Sequence, residues 1–223
     1  MTIAAILTNL DSVTIISYMN EQTLGKRETN KLQFREAILK ASRRLFSSAG
    51  YDSVKMEDIA ARAGVSRATL YNYFPSKESL LTGTLDAVYE QVRKEADAMR
   101  QTGTPFATIL FYTFQTLVGF TMKYPGLTRR ICYLNTLRDS SLHNCLQSIY
   151  ELMKELIEAA IAERKDREAV SAEAVFETML GMYYVILNHW YYRYPEENAE
   201  IGDRLRKLYK VNLKSYLPMP EQA

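Results

Sequence analysis

Residues 59–77, IAARAGVSRATLYNYFPSK, constrain the fold more than any other stretch of this chain. They read as a helix, a tight turn, a second short helix, a stop and a new helix start. Ile59, Ala60 and Ala63 give the first helix an apolar side. Gly64 follows them, the residue that takes a left-handed backbone angle at a helix end without a Cβ penalty. Val65 plugs the turn. Ser66 is an N-cap residue, its hydroxyl free to accept from an amide of the next turn. Leu70 and Phe74 then face back toward the first helix. Arg67, Ala68, Thr69, Tyr71, Asn72 and Tyr73 are left on or near the outer side. A short helix with small, polar and phenolic groups outward and a basic start suits a DNA major groove. On its own the stretch is equally readable as a helical hairpin of any all-α protein.

Charge favours the first reading. Residues 26–78 carry eleven Lys and Arg against six acids, a net +5, although the whole chain is only +2. Residues 1–25 are −2 and residues 79–223 are −1. The positive charge lies where phosphate contacts would need it.

Two segments carry a family resemblance. LYNYFPSKESLL places Tyr71 and Tyr73 two apart, then Phe74, Lys77, and an acid-plus-Leu helix start at Glu78, Leu80 and Leu81. Upstream, AILKASRRLFSSAGYDSVKMEDIA has a first helix, a Phe-x-x-x-Gly-Tyr exit and a lead into a second helix. Together, over about residues 35–82, they resemble the DNA-binding domain of the TetR family of transcriptional regulators. The resemblance implies an all-α protein of about nine helices. A three-helix helix-turn-helix DNA-binding domain is followed by a helical ligand-binding and dimerisation domain. The boundaries expected are 1–28 for an N-terminal extension or arm, 29–76 for DNA binding and 77–223 for effector binding and dimerisation.

The apolar residues after residue 30 recur at three and four, and Gly and Pro mark the breaks. The spacing predicts helices over 30–48, 56–63, 67–73, 77–100, about 105–123 and 127–136. A long helix 7 is predicted from Ser140 or Ser141 to about residue 165, then helices over 171–193 and 197–216. Phe34, Ile38, Ala41, Leu45 and Phe46 are expected on the inner side of helix 1. Thr104 followed by Pro105 reads as a cap and first-turn proline, and Ser76 as the cap of helix 4.

Composition narrows the function. At 223 residues the chain can hold one large or two modest domains with a real core. Cys132 and Cys145, thirteen apart, fit no metal motif or secreted disulfide scaffold. His143 and His189 are the only histidines, so neither a metal site nor a cofactor is expected. No acid–base pair, nucleophile constellation or phosphate loop is found, and an enzyme is not expected. No apolar run reaches the length of a membrane span, and the expected location is the cytoplasm. Residues 1–24 are moderately apolar with no basic start, a poor signal peptide. They read as a flexible extension, a piece that packs on a partner, or the result of an upstream start, with Met19 available.

By resemblance, Arg67, Ala68 and Tyr71 take base-reading positions, and Thr69, Asn72, Tyr73 and Lys77 backbone positions. Ser66 joins this set at the helix start. Lys77 opens helix 4, where free amides and the helix dipole also favour a phosphate. Ser53 and Lys55 precede helix 2 and could clamp phosphate on the other side. The family usually has Thr or Ser where Lys55 stands. Lysine can bind phosphate but cannot cap, which leaves Ser53 as the alternative cap. Lys26, Arg27 and Lys31 form either an arm into the minor groove or a solvated run.

Helix 8, AVFETMLGMYYVILNHWYYRY, is apolar nearly all round, the mark of a helix buried on more than one side. The resemblance implies that helices 8 and 9 pair with their copies in a homodimer. Asn188 and His189 within it need partners, across that dimer or on a ligand. The second domain is rich in Tyr and Met, which suit a flat or oily effector. The candidate lining is Phe114, Met122, Tyr133, His143, Tyr150, Met153, Met179, Met182, Tyr183 and Trp190, with plain core packing as the competing reading. The function expected is a dimeric, ligand-responsive regulator, a repressor on a palindromic double-stranded operator, released by a small-molecule effector. The alternative is a ligand-independent nucleoid or division factor of the same fold.

Overall fold

A computed structural model of the chain describes residues 26–164, 170–190, 201–213 and 217. Their regular structure is entirely helical: α1 (Lys26–Ala49), α2 (Met56–Ala63), α3 (Arg67–Tyr73), α4 (Lys77–Gln101), α5 (Phe106–Lys123), α6 (Pro125–Thr136), α7 (Gln147–Ala162), α8 (Ala172–Val185) and α9 (Ile201–Leu213). A π-helical segment, Ile186–Trp190, follows α8 directly. No helix among the described residues is long and apolar enough to cross a membrane. Residues 1–24, including Met19, lie outside the described residues, as do the predicted ends of helices 7, 8 and 9.

The chain divides into two compact units, one formed by residues up to Asp86 with 124–144, the other by 87–123 and the residues from Cys145. Helix α4 runs through both. In the first unit α1 packs on α2 and α6, and α2 on α3. Ile38, Leu39, Phe46, Ile59, Leu70, Phe74, Leu80, Leu81, Leu127 and Ile131 are buried there. Gly83 shows how tightly α4 is seated. A Cβ added to it would lie 2.7 Å from Phe74 Cε1 and 3.2 Å from Leu39.

Helix α1 begins at Lys26, four residues before the predicted start, so Lys26 and Arg27 stand in the helix rather than in an extended arm, and Lys31 is an exposed helical residue. Phe34, expected inside, is exposed at 44%. The first buried residue of α1 is Ile38, one turn later, so the helix extends past the core it packs on. Helix α6 starts two residues early because Pro125 sits at its first turn, where its missing N–H costs nothing. The break before α7 is also longer than predicted. Residues 137–146 are turns, and α7 starts at Gln147. Asn144 adopts a left-handed angle (φ 58°), and its N–H donates to the Asn135 carbonyl. The Ser140 hydroxyl accepts from the Leu142 N–H, a local turn that competes with helix.

The second unit has its own core, with Ile109, Leu110, Phe111, Val118, Leu156, Ile157, Met179, Ile186, Leu205 and Tyr209 among its buried members. Its α4 segment is tied to α7 through Glu155, which accepts from Arg93 at 2.6 Å and from Arg100 at 2.7 Å. Pro105, not Thr104, provides the first carbonyl of α5, and the Glu163 carboxylate accepts from the Phe106 N–H at 2.7 Å. Helix α8 is one-sided in the single chain. Val175, Phe176, Met179 and Met182 are buried, whereas Ala174, Thr178, Gly181 and Val185 are exposed. Asn188 and His189 are exposed as well, and the Asn188 amide donates to the Tyr184 carbonyl one turn back.

Two stability measurements test this packing. Gly83→Ala forces a methyl against Phe74 and Leu39 and is expected to destabilise by about 1–3 kcal/mol, read as a lower urea midpoint. The Arg100 guanidinium bonded to Glu155 holds its carboxyl below the usual range, with Arg93 adding to it and partial burial opposing. A carboxyl depressed in the folded state stabilises above its unfolded pKa and loses that contribution as pH falls through the folded value. Glu155→Gln is therefore expected to lower the urea midpoint at pH 7, with the gap to the parent closing below about pH 4.

Candidate nucleic-acid interface

The turn between α2 and α3 is held by the caps of both helices. Gly64 closes α2 in the left-handed conformation (φ 68°). Its N–H donates to Ala61 and that of Val65 to Ala60, which satisfies carbonyls the helix end would leave open. Ser66 opens α3, its hydroxyl accepting from the Thr69 N–H at 3.0 Å and lying 2.8 Å from the Thr69 hydroxyl. Leu70 is fully buried and Phe74 nearly so. The outer face carries Arg67, Ala68, Tyr71 and Asn72, all exposed, with Thr69 and Tyr73 half-buried at its margins. All six outward residues expected from sequence therefore belong to one short helix. Arg67 pairs with Glu57 of α2 at 3.0 Å, and its guanidinium lies 5.5 Å from the Tyr71 ring centroid.

Helix α2 starts without a side-chain cap. Lys55 is the N-cap residue in extended conformation, and its N–H donates to the Asp58 carboxylate at 3.0 Å. This is the acidic half of a capping box. Ser53 does not cap α2. Its hydroxyl donates backward to the carbonyls of Ala49 and Gly50, closing the end of α1. Both Ser53 and Lys55 are exposed.

Lys77 is half-buried. Its ammonium donates to the carbonyls of Tyr51 (2.9 Å) and Asp52 (3.4 Å) and lies 4.6 Å from the Tyr51 ring centroid. On the same ring, Arg130 of α6 stands 5.0 Å from the centroid and reaches the Asp52 carboxylate at 3.2 Å. The Tyr51 hydroxyl donates to Glu78 at 3.0 Å. Burial, then this hydrogen bond to a carboxylate, pushes the phenol pKa up. Burial opposes ionisation of Glu78. Its own backbone N–H, Tyr51, Ser76 and the Lys77 charge outweigh that and hold the carboxyl low. Tyr51 and Glu57 were missed by sequence reasoning. Tyr51 was visible only as part of the helix exit, and Glu57 meets Arg67 across the turn, where no helical spacing predicts a pair.

The ligand candidates separate into two groups. Phe114, Met122, Tyr150, Met153, Met179, Met182 and Tyr183 gather in or against the core of the second unit. Phe114 and Tyr183 are 6.5 Å apart between ring centroids, and the Tyr183 hydroxyl bonds that of Thr121. Tyr133 and His143 are exposed and belong to the first unit, with the His143 ring bonded to the Asn135 carbonyl. Helix α6 packs with α1. The Trp190 side chain lies outside the described residues. Sequence reasoning also missed Thr113 and Tyr209, whose hydroxyls are buried in the second unit with no hydrogen-bond partner among the described residues.

Residues 38–83, the span from α1 to Gly83, match the family described as bacterial regulatory proteins, tetR family. Those residues form a TetR-family helix-turn-helix domain. It is similar to the HTH-type transcriptional repressor KstR of Mycolicibacterium smegmatis, 29% identical over 70% of this chain and 76% of KstR. It is also 28% identical to the nucleoid occlusion factor SlmA of Sodalis glossinidius, over 67% of this chain and 77% of SlmA. The solved structure of Thermus thermophilus FadR in complex with lauroyl-CoA shares the fold, with TM-score 0.58, 23% identity, and coverage of 85% of this chain and 98% of that one. The chain thus carries the helix-turn-helix domain of a family of DNA-binding transcriptional regulators.

Ser66→Ala removes the one side-chain cap of α3 and is expected to cost about 1 kcal/mol, measured by urea denaturation at neutral pH.

Proposed function

We propose that this chain is a ligand-responsive transcriptional repressor. It binds a palindromic operator as a homodimer in the cytoplasm and is released by a small, largely apolar or aromatic effector. The reading rests above all on the outer face of α3, where Arg67, Ala68 and Tyr71 stand exposed on a helix held by Ser66 and Leu70. Arg67 and Tyr71 lie one turn apart and reach base edges, and Ala68 lets the helix approach or meets a thymine methyl. Ser53, Lys55, Thr69, Asn72 and Tyr73 hold the flanking phosphates, and Ser66 sits at the helix start. Lys77 has one ammonium hydrogen beyond those used on Tyr51 and Asp52, and that hydrogen serves a phosphate.

The domain division proposed is 29–76 for DNA binding and 77–223 for effector binding and dimerisation, with residues 1–28 as an extension. Helices α8 and α9 form the dimer face. Ala174, Thr178, Gly181 and Val185 supply small and apolar exposed groups on α8, and Val211 is 84% exposed on α9. The effector class is supported by the aromatic and Met-rich core of the second unit, where the Thr113 and Tyr209 hydroxyls have no hydrogen-bond partner among the described residues. The lauroyl-CoA held by Thermus thermophilus FadR points the same way. Release requires only that the effector bind the non-DNA conformation more tightly. The similarity to SlmA supports the second reading, a nucleoid occlusion factor of the same fold with no effector.

A duplex selected in vitro with the purified protein provides the operator probe. Arg67→Ala with Tyr71→Ala is expected to weaken its binding by about 100-fold or more in gel shift, since each base contact contributes about 1–3 kcal/mol. Unchanged binding would show that α3 does not read the DNA. Solvent extraction and mass spectrometry of the purified protein separate the two readings. A stoichiometric apolar molecule whose addition releases the duplex supports the repressor.

A further inference from the structure

We propose that Glu57 is a specificity-determining residue, which acts by directing Arg67 toward a base and away from phosphate. The proposal rests on the reading of α3 as the DNA-reading helix. Arg67 Nη2 lies 3.0 Å from Glu57 Oε1, and both side chains are largely in solvent, 69% and 47% exposed. Glu57 is not needed to start its own helix, because Asp58 takes the Lys55 N–H. An exposed pair of this kind adds little to stability. Its consequence lies in what Arg67 can do.

A guanidinium carries five donors in a planar fork. Glu57 occupies one terminal nitrogen, and the Tyr71 ring flanks the group, its centroid 5.5 Å from the Arg67 Cζ. The remaining edge is free to pair with the O6 and N7 of guanine, and Glu57 need not leave for that contact. A phosphate is different. Its full negative charge would approach the Glu57 carboxylate as it approached Arg67, and like charges at such distances repel. Guanine carries no net charge and escapes this repulsion. A lone exposed arginine would bind the backbone of any sequence. The carboxylate beside Arg67 lowers that non-specific term while leaving base pairing intact, and the Tyr71 ring lies within cation–π reach of the guanidinium.

The test compares the selected duplex with a random-sequence duplex of the same length, using wild type, Glu57→Gln, Arg67→Ala and the double variant. All must keep the wild-type circular dichroism. Glu57→Gln is expected to tighten binding to the random duplex, steepen its salt dependence by about one counterion, and cut the ratio of specific to non-specific affinity about three- to tenfold. In the Arg67→Ala background the same substitution is expected to leave that ratio unchanged. An unchanged ratio in the wild-type background, or an equal fall in both backgrounds, overturns the proposal. If instead Arg67→Ala itself leaves specific binding intact, the assignment of α3 fails first, and the two failures are told apart.

Discussion

A helix of seven residues cannot hold itself together in water, because too few hydrogen bonds follow the costly first turn. Everything that α3 can do depends on how that deficit is met from one side only. Ser66 satisfies an amide at its start, Leu70 is buried completely against the preceding helices, and Phe74 ends it in extended conformation while remaining buried. All the anchoring is thus at the ends and on the inner face. The outer face carries Arg67, Ala68, Tyr71 and Asn72, and the exposed Arg67–Glu57 pair on it adds little to stability. The helix concentrates its support in two side chains and a hydroxyl.

The same economy explains the cluster around Tyr51. The turn between α1 and α2 presents Ser53 and Lys55, yet α2 has no hydroxyl cap to fix where it starts. The turn is held instead from outside. Lys77 grips two of its carbonyls, Arg130 binds the Asp52 carboxylate, and the ring of Tyr51 lies within cation–π reach of both cations. Glu78 accepts the phenol and balances the positive charge. Lys77 therefore acts first on its own fold, and any phosphate it meets shares the ammonium with Tyr51 and Asp52.

What was legible in the sequence follows from range. The spans of α2 and α3, the Gly64 turn and the Ser66 and Ser76 caps are local signals, and the residues that create them lie within four positions of one another. Contacts between helices had no such signal. The Glu57–Arg67 pair and the Tyr51 cluster join residues ten to nearly eighty positions apart. Errors arose where a local pattern had two local solutions. Ser53 could cap forward or backward, and the carbonyls of Ala49 and Gly50 won. Ser140 looked like a helix start, but its hydroxyl closed a turn on Leu142 instead.

The core of the second unit separates packing from recognition by a different criterion. Met and aromatic residues there are explained by burial alone, and Phe114, Met153 and Met179 would be as well accounted for in a protein that binds nothing. A buried hydroxyl is not. Leaving a donor without a partner costs about 1–3 kcal/mol, which an apolar residue of similar shape would avoid. The Thr113 and Tyr209 hydroxyls have no hydrogen-bond partner among the described residues. Phe111 packs edge-on against the Tyr209 ring at 5.3 Å, so the ring itself is well placed without its oxygen. Phenylalanine would serve the packing equally. The oxygens, rather than the oily side chains around them, are the part of this core that packing does not explain.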